Sequence, residues 1–245
     1  MAITFQNVLP DPNYNIGDAG QASTGDYGPG FKSVKLTSET KIAKNITNSG
    51  RVVRRYYGNH NWNIHITYNP MTRAEFEPVY NFLLERQHSL KPFFVSLPHL
   101  RTPQSSSFAT HIGSSNITVP SLTAAGTSTL LIGNCGDTAA SQEEKEPKPG
   151  DLFTITDSND VAHLKAYQVV RTERTTAGMF DGTQPGSTQR KIAFIPPLTK
   201  EVSTSALVNF SAPLIRVIMD TDIQEYALNT EGLYQFSLKL REAQP

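Results

Sequence analysis

The strongest constraint on the fold of this chain is a strict two-residue alternation in NWNIHITY, residues 61–68. Trp62, Ile64, Ile66 and Tyr68 share one side of an extended strand, and Asn61, Asn63, His65 and Thr67 share the other. Such a strand buries one face and wets the other, as half-buried antiparallel strands do. The same period returns near the end of the chain. Tyr234, Phe236, Leu238 and Leu240 alternate there with Gln235, Ser237, Lys239 and Arg241. The two segments therefore read as partners in one sheet, with Trp62, Ile64, Ile66, Tyr234, Phe236 and Leu238 as its core.

Between them the period changes. In NPMTRAEFEPVYNFLLERQ, Phe76, Val79, Tyr80, Leu83 and Leu84 recur at spacings of three and four, the stripe of an amphipathic helix. Thr72 and Glu75 are placed as a capping box at its start. Pro78 removes one backbone donor inside the element, which predicts a bend or a late start. The apolar stripe is expected to lie across Trp62, Ile64 and Ile66. FKSVKLTSET before this region and KPFFVSLPHL after it read as further strands.

From about residue 110 the texture shifts to short apolar runs separated by turns: ITVPS, TLLIG, DLFTITD, AYQVVRTE and KIAFIPPL. Five such runs in about ninety residues read as a small barrel or sandwich. SQEEKEPKPGD and TTAGMFDGTQPGSTQR read as loops, and Ser105, Ser106 and Ser107 as a polar linker. Long alternating strands at both ends with short strands between them fit an inserted module, because domain termini often lie close together. Two consecutive domains are the other arrangement. The expected division is an extended arm over 1–30, the first part of a sheet-and-helix domain over 31–109, an inserted barrel-like part over 110–208 and completing strands over 209–245. Phe5, Val8 and Leu9 in the arm are apolar enough to dock on this chain or on another copy.

Composition narrows the chemistry. Lys plus Arg and Asp plus Glu number 22 each, so the chain lacks the basic excess of a general nucleic-acid binder and the self-repulsion that keeps copies apart. One cysteine, Cys135, permits neither an internal disulfide nor a thiolate metal cluster. The first residues show neither a basic region nor the apolar core of a secretion signal, and no apolar run reaches membrane-helix length. The six histidines show no HExxH spacing, the serines no GxSxG elbow and the glycines no phosphate-loop pattern. The chain thus reads as non-enzymatic, with no catalytic, cofactor or metal residues assigned. Arg51, Arg54, Arg55, Tyr56 and Tyr57 form a short basic and aromatic patch. Such residues suit an interface between subunits, a nucleic-acid backbone or an ordinary strand edge. The polar strand faces read either as a solvated sheet or as the wet lining of sheets joined edge to edge.

The segments YNPMTRAEFEPVYNFLLERQHSLKPFFVSLP (68–98) and EGLYQFSLKLREA (231–243), with PKPGDLFTITD, AYQVVRTE and IAFIPPLTK between them, resemble distal-tail or baseplate-hub proteins of tailed bacteriophages. That resemblance implies a mainly β, tail-tube-like β-sandwich or split barrel with one packed helix, plus an inserted small β-barrel. It further implies a structural virion protein, a subunit of a six-fold ring at the distal end of the tail tube. The ring would join the tube to hub and other baseplate proteins, with DNA only as passing cargo. On this reading the polar residues of the two alternating strands line the DNA path, a role that Lys239 and Arg241 fit poorly. The resemblance departs from distal proteins bearing a C-terminal carbohydrate-binding module, since no second large domain follows residue 210. A carbohydrate- or receptor-binding β-module of a tail is the alternative function.

Overall fold

The computed structural model describes residues 7–14, 27–136, 145–160, 163–173, 185–223 and 225–243, without the side chains of 56–59. Two compact units divide the chain. One is made of Met1–Val95 with Arg216–Gln244, and the other of Ser96–Ile215.

The first unit carries the long alternating strands. β1 (Phe31–Ile46) and β2 (Val52–Tyr68) form an antiparallel hairpin, turned by residues 47–51. The Thr47 carbonyl accepts from the Gly50 amide at 2.8 Å, and Gly50 takes a positive φ of 79° that a side chain would oppose. α1 (Arg73–Glu85) follows, then β3 (Phe93–Ser96). Later come β9 (Leu214–Met219) and β12 (Ser237–Glu242), and the sheet order is β1-β2-β12-β9-β3. β12 pairs antiparallel with β2, Leu238 opposite Ile66 and Leu240 opposite Ile64. Alternation appears in β2 from Trp62 onward, where Trp62, Ile64, Ile66 and Tyr68 are buried; Asn61, expected on the wet face, is buried too. A third, two-stranded sheet joins β10 (Ala227–Leu228) to β11 (Tyr234–Gln235).

Helix α1 begins at Arg73 in spite of Pro78. The bond Pro78 omits would go to the Ala74 carbonyl, on an exposed first turn where solvent can serve it. The Glu75 carboxylate accepts from the Thr72 backbone N–H at 2.9 Å, holding the start. The buried stripe is Phe76, Val79, Phe82 and Leu83. Tyr80 is half-buried, and Leu84 is 42% exposed, so the expected face is corrected at Leu84. A 3.6-residue helix carries Phe82 from Val79 and Leu83 onto the core side and turns Leu84 away. Phe82 packs edge-on to Phe93 at 5.4 Å, while Phe76 stacks on Tyr234 at 4.5 Å and meets Phe236 at 5.6 Å.

Part of the N-terminal arm is docked on its own unit. Leu9 is buried, its N–H donates to the Phe94 carbonyl at 2.8 Å, and the Phe94 N–H donates to the Asn7 carbonyl at 2.9 Å. Val8 thereby bridges β3 in parallel. Phe5 lies outside the described residues.

The second unit holds a sheet of order β4-β7-β6-β5-β8, formed by β4 (Thr129–Ile132), β7 (Arg190–Ile195), β6 (Ala166–Glu173), β5 (Leu152–Thr156) and β8 (Leu207–Asn209). Phe108, Phe153, Tyr167, Phe194 and Phe210 fill its core with ring centroids 5.2–5.6 Å apart. Phe108 comes from α2 (Ser106–Ser114), a helix in the region expected to be linker. Ser105 caps it, its hydroxyl accepting from the Phe108 amide at 3.3 Å.

The expectation of a tube-like β-sandwich or split barrel with an inserted barrel is corrected. Among the described residues the chain is a mixed α/β fold of three separate sheets and two short α-helices, and none of these sheets closes or curls into a barrel. In the second unit the edge strands β4 and β8 do not pair with each other; ITVPS forms no strand between them, bridging at Thr118 to Gly133 and Leu207, with backbone bonds from Ile117 and Val119 to Val208, Ala206 and Ser205. In the first unit β1 and β3 lie at opposite edges of the sheet.

Candidate interaction surfaces

The wet face of the first sheet is built by register. Lys35, His65 and Lys239 stand directly across from one another on β1, β2 and β12, and Thr37, Asn63 and Arg241 form the next row. The Asn63 amide donates to Glu39 at 2.8 Å, tying one anion into the face. Asp220, at the end of β9, joins these rows around a shallow groove of about 340 Å³. Lys35, Lys239 and Arg241 stand there against Glu39 and Asp220, so the groove is close to charge balance. Lys239 and Arg241, which the sequence places on the wet side, are there.

Beyond this face the hairpin continues alone. β12 pairs with β2 only at Asn63–Thr67, whereas β1 and β2 remain paired out to Ile46 and Val52. The outlying ribbon exposes Ile42, Ile46, Val52 and Val53, with Ile46 69% exposed. Lys41, Lys44, Arg51, Arg54 and Arg55 are exposed on it as well. Arg54 and Arg55 stand opposite Lys44 and Ala43. The Tyr56 backbone continues the ladder opposite Ile42; the side chains of Tyr56 and Tyr57 lie outside the described residues. The proposed interface residues are thus gathered on one projecting element, and the helix and sheet-core residues on another part of the same unit. Tyr234 departs from the rest of the sheet core. It is half-buried in β11, stacked on Phe76, and not part of the five-stranded sheet.

At the other end of the sheet, Asp220, Asp222, Ile223, Glu225, Tyr226 and Leu228 are all exposed, with Ile223 at 72%. Ser89 donates to Asp222. Tyr226 leans on Phe76 and Tyr80 at 5.1 and 5.6 Å. Three carboxylates among apolar residues in DTDIQEYAL are the sequence signal for this surface.

The buried polar groups of the second unit are bound into its framework. Arg190 is fully buried and donates to Glu146 at 3.2 Å, to the Gly136 carbonyl at 2.8 Å and to the Gln189 carbonyl at 2.8 Å. Asp157 accepts from the Ser203 hydroxyl at 2.5 Å and amide at 2.7 Å. Burial alone would raise its pKa; these bonds and one from the Asn159 amide outweigh it and hold the carboxyl below its ordinary value. His163 is buried against the Tyr167 hydroxyl at 2.8 Å, and burial lowers its pKa. Burial pushes the Cys135 thiol up to about 12, which leaves it a packing residue rather than a nucleophile. Glu143 and Glu144 in the charged loop lie outside the described residues, as does most of the loop over 175–190. Among the described residues no group of three or more His, Cys, Asp or Glu is placed to hold a metal ion, and no helix is long and apolar enough to cross a membrane. Compared with protein-family models and with curated proteins, the chain finds no match in either.

Proposed function

We propose that this chain is a structural, non-enzymatic virion protein of a tailed bacteriophage: a subunit of a ring at the distal end of the tail tube that joins the tube to hub or baseplate components. The observation that carries the assembling role is an uneven pair of sheet edges. The β3 edge is covered by Asn7–Leu9 of the same chain. β1 presents a sixteen-residue edge to which no strand pairs among the described residues. A long open edge offers a row of backbone donors and acceptors that a neighbouring chain satisfies. The phage assignment rests on the sequence resemblance. Its two main segments, 68–98 and 231–243, supply α1, β3, β11 and β12, and they meet through Phe76, Tyr234 and Phe236. A near-balanced polar face suits a channel past which DNA slides, because a strongly basic one would release counterions and hold it. Electron microscopy of the purified chain over a concentration series tests the reading. Closed rings are the expected result; particles that stay monomeric at every concentration would count against it.

A further inference from the structure

The first unit carries two exposed surfaces that are opposite in charge and alike in apolar content. The ribbon between Thr40 and Tyr57 holds Lys41, Lys44, Arg51, Arg54 and Arg55 and no carboxylate. Since the whole chain balances 22 cations against 22 carboxylates, the remainder has a deficit of five cations. Part of that deficit falls in Asp220–Leu228, where Asp222 and Glu225 follow Asp220 and the segment itself holds no cation, with Lys239 of β12 bordering it. Each surface also exposes large apolar side chains, Ile46 and Val53 on the ribbon, Ile223 and Leu228 on the acidic segment. Charge around an apolar centre is the layout of a specific interface rather than of a solvated loop.

The register keeps the two surfaces apart within one chain. Arg55 pairs across from Ala43, whereas Asp220 follows Met219, which faces Leu240, itself opposite Ile64. Asp220 therefore lies level with His65, ten residues along β2 from Arg55. Two of those β2 residues are taken up by the irregularity opposite Thr40 and Ile42; along β1 the same interval runs from Lys35 to Ala43, eight residues and roughly 26 Å at about 3.3 Å per residue. No side chain spans it, so the two surfaces do not meet within one chain.

We propose that the ribbon of one copy docks on the Asp220–Leu228 segment of a second copy, head to tail. The inference rests on the self-assembling part of the function proposed above and names the surfaces through which copies join. Because each copy offers one ribbon and one acidic segment, the contact is heterologous: it repeats until a ring closes, or it grows as a filament. The ribbon gains the covering that a two-stranded element lacks by itself.

Sedimentation velocity on the full chain tests this with two charge-reversed variants. One carries Arg51→Glu, Arg54→Glu and Arg55→Glu; the other carries Asp220→Lys, Asp222→Lys and Glu225→Lys. The wild-type chain is expected to associate, about tenfold or more weakly at high salt than at low salt, since exposed charges are screened. Each variant alone repels itself at both surfaces and stays monomeric. An equimolar mixture restores association, because each ribbon then meets a loop of opposite sign; misfolding of either variant would not produce that rescue. Variants that assemble like the wild type, or a mixture that stays monomeric, would overturn the ribbon contact while leaving ring formation through another surface intact. A wild-type chain that is monomeric throughout removes both the contact and the assembly reading. Ribbon-dependent binding of a duplex oligonucleotide by such a monomer would assign the ribbon to a polyanion instead.

Discussion

Tyr68 buries its whole side chain between Phe31 and Phe236, yet its hydroxyl meets no hydrogen-bond partner among the described residues. Burial, with the nearby Asp11 charge adding to it, drives its ionisation far above the ordinary range. A buried hydroxyl without a partner is a standing cost, so Tyr68→Phe is expected to stabilise the protein by ~1 kcal/mol. A denaturant midpoint that falls would show that the hydroxyl is satisfied. His163 makes the opposite kind of prediction. Burial, the largest influence, and Lys200 lower its pKa, while Asp160 and Asp157 raise it. Its folded pKa lies below the ordinary imidazole value of 6.5, so below that pH the unfolded chain binds more protons than the folded one. The neutral imidazole's contribution is complete above pH 6.5 and is lost as pH falls toward the folded pKa. The melting temperature should therefore drop more steeply below pH 6.5 in the wild type than in His163→Gln, and parallel curves would refute the assignment.

At the scale of the element, α1 shows what periodicity can and cannot resolve. A three-four pattern locates an apolar stripe, but Phe82, Leu83 and Leu84 are consecutive apolar residues, and any two of them satisfy it. Phase is set by the partner: Phe93 receives Phe82, and Leu84 is left on the wet side. Leu83→Asp should cost at least the ~2–5 kcal/mol of a core Leu→Ala change, because it also buries a charge. Leu84→Asp should change stability by less than ~0.5 kcal/mol, as exposed substitutions usually do. Equal melting temperatures for the two variants would mean that the helix face is misplaced. α2 was legible in principle from Ser105 as a cap and from Phe108 and Ile112 four apart, but three consecutive serines masked it as linker. The split of the last strand into β11 and β12 was not legible, because alternation continues unbroken through Phe236 while the backbone changes partners.

For the molecule as a whole, the sequence-derived partnership of strands from both chain ends is realised as β2 beside β12. What forms around them differs from the expected barrels. Short apolar runs such as ITVPS and TLLIG look alike in sequence, but one supplies single-residue bridges and the other a four-residue strand. Of the two charged surfaces, the basic one is legible in sequence as Arg51, Arg54 and Arg55, whereas no role is assigned to Asp222 and Glu225 from sequence. Ring formation and the exchange of reversed charges are the assays that belong to this scale.

Legible in the residues alone are the local periods: which residues of β12, and of β2 from Trp62 onward, point inward, and where the capping box of α1 sits. These follow from the two repeat lengths of the backbone and from short-range capping, which neighbouring residues decide. The phase of the helix, the covering of β3 by the arm and, among the described residues, the open edge of β1 and the unclosed sheets are set by tertiary structure. Each depends on which distant segment reaches a given edge first, and no local pattern encodes that choice.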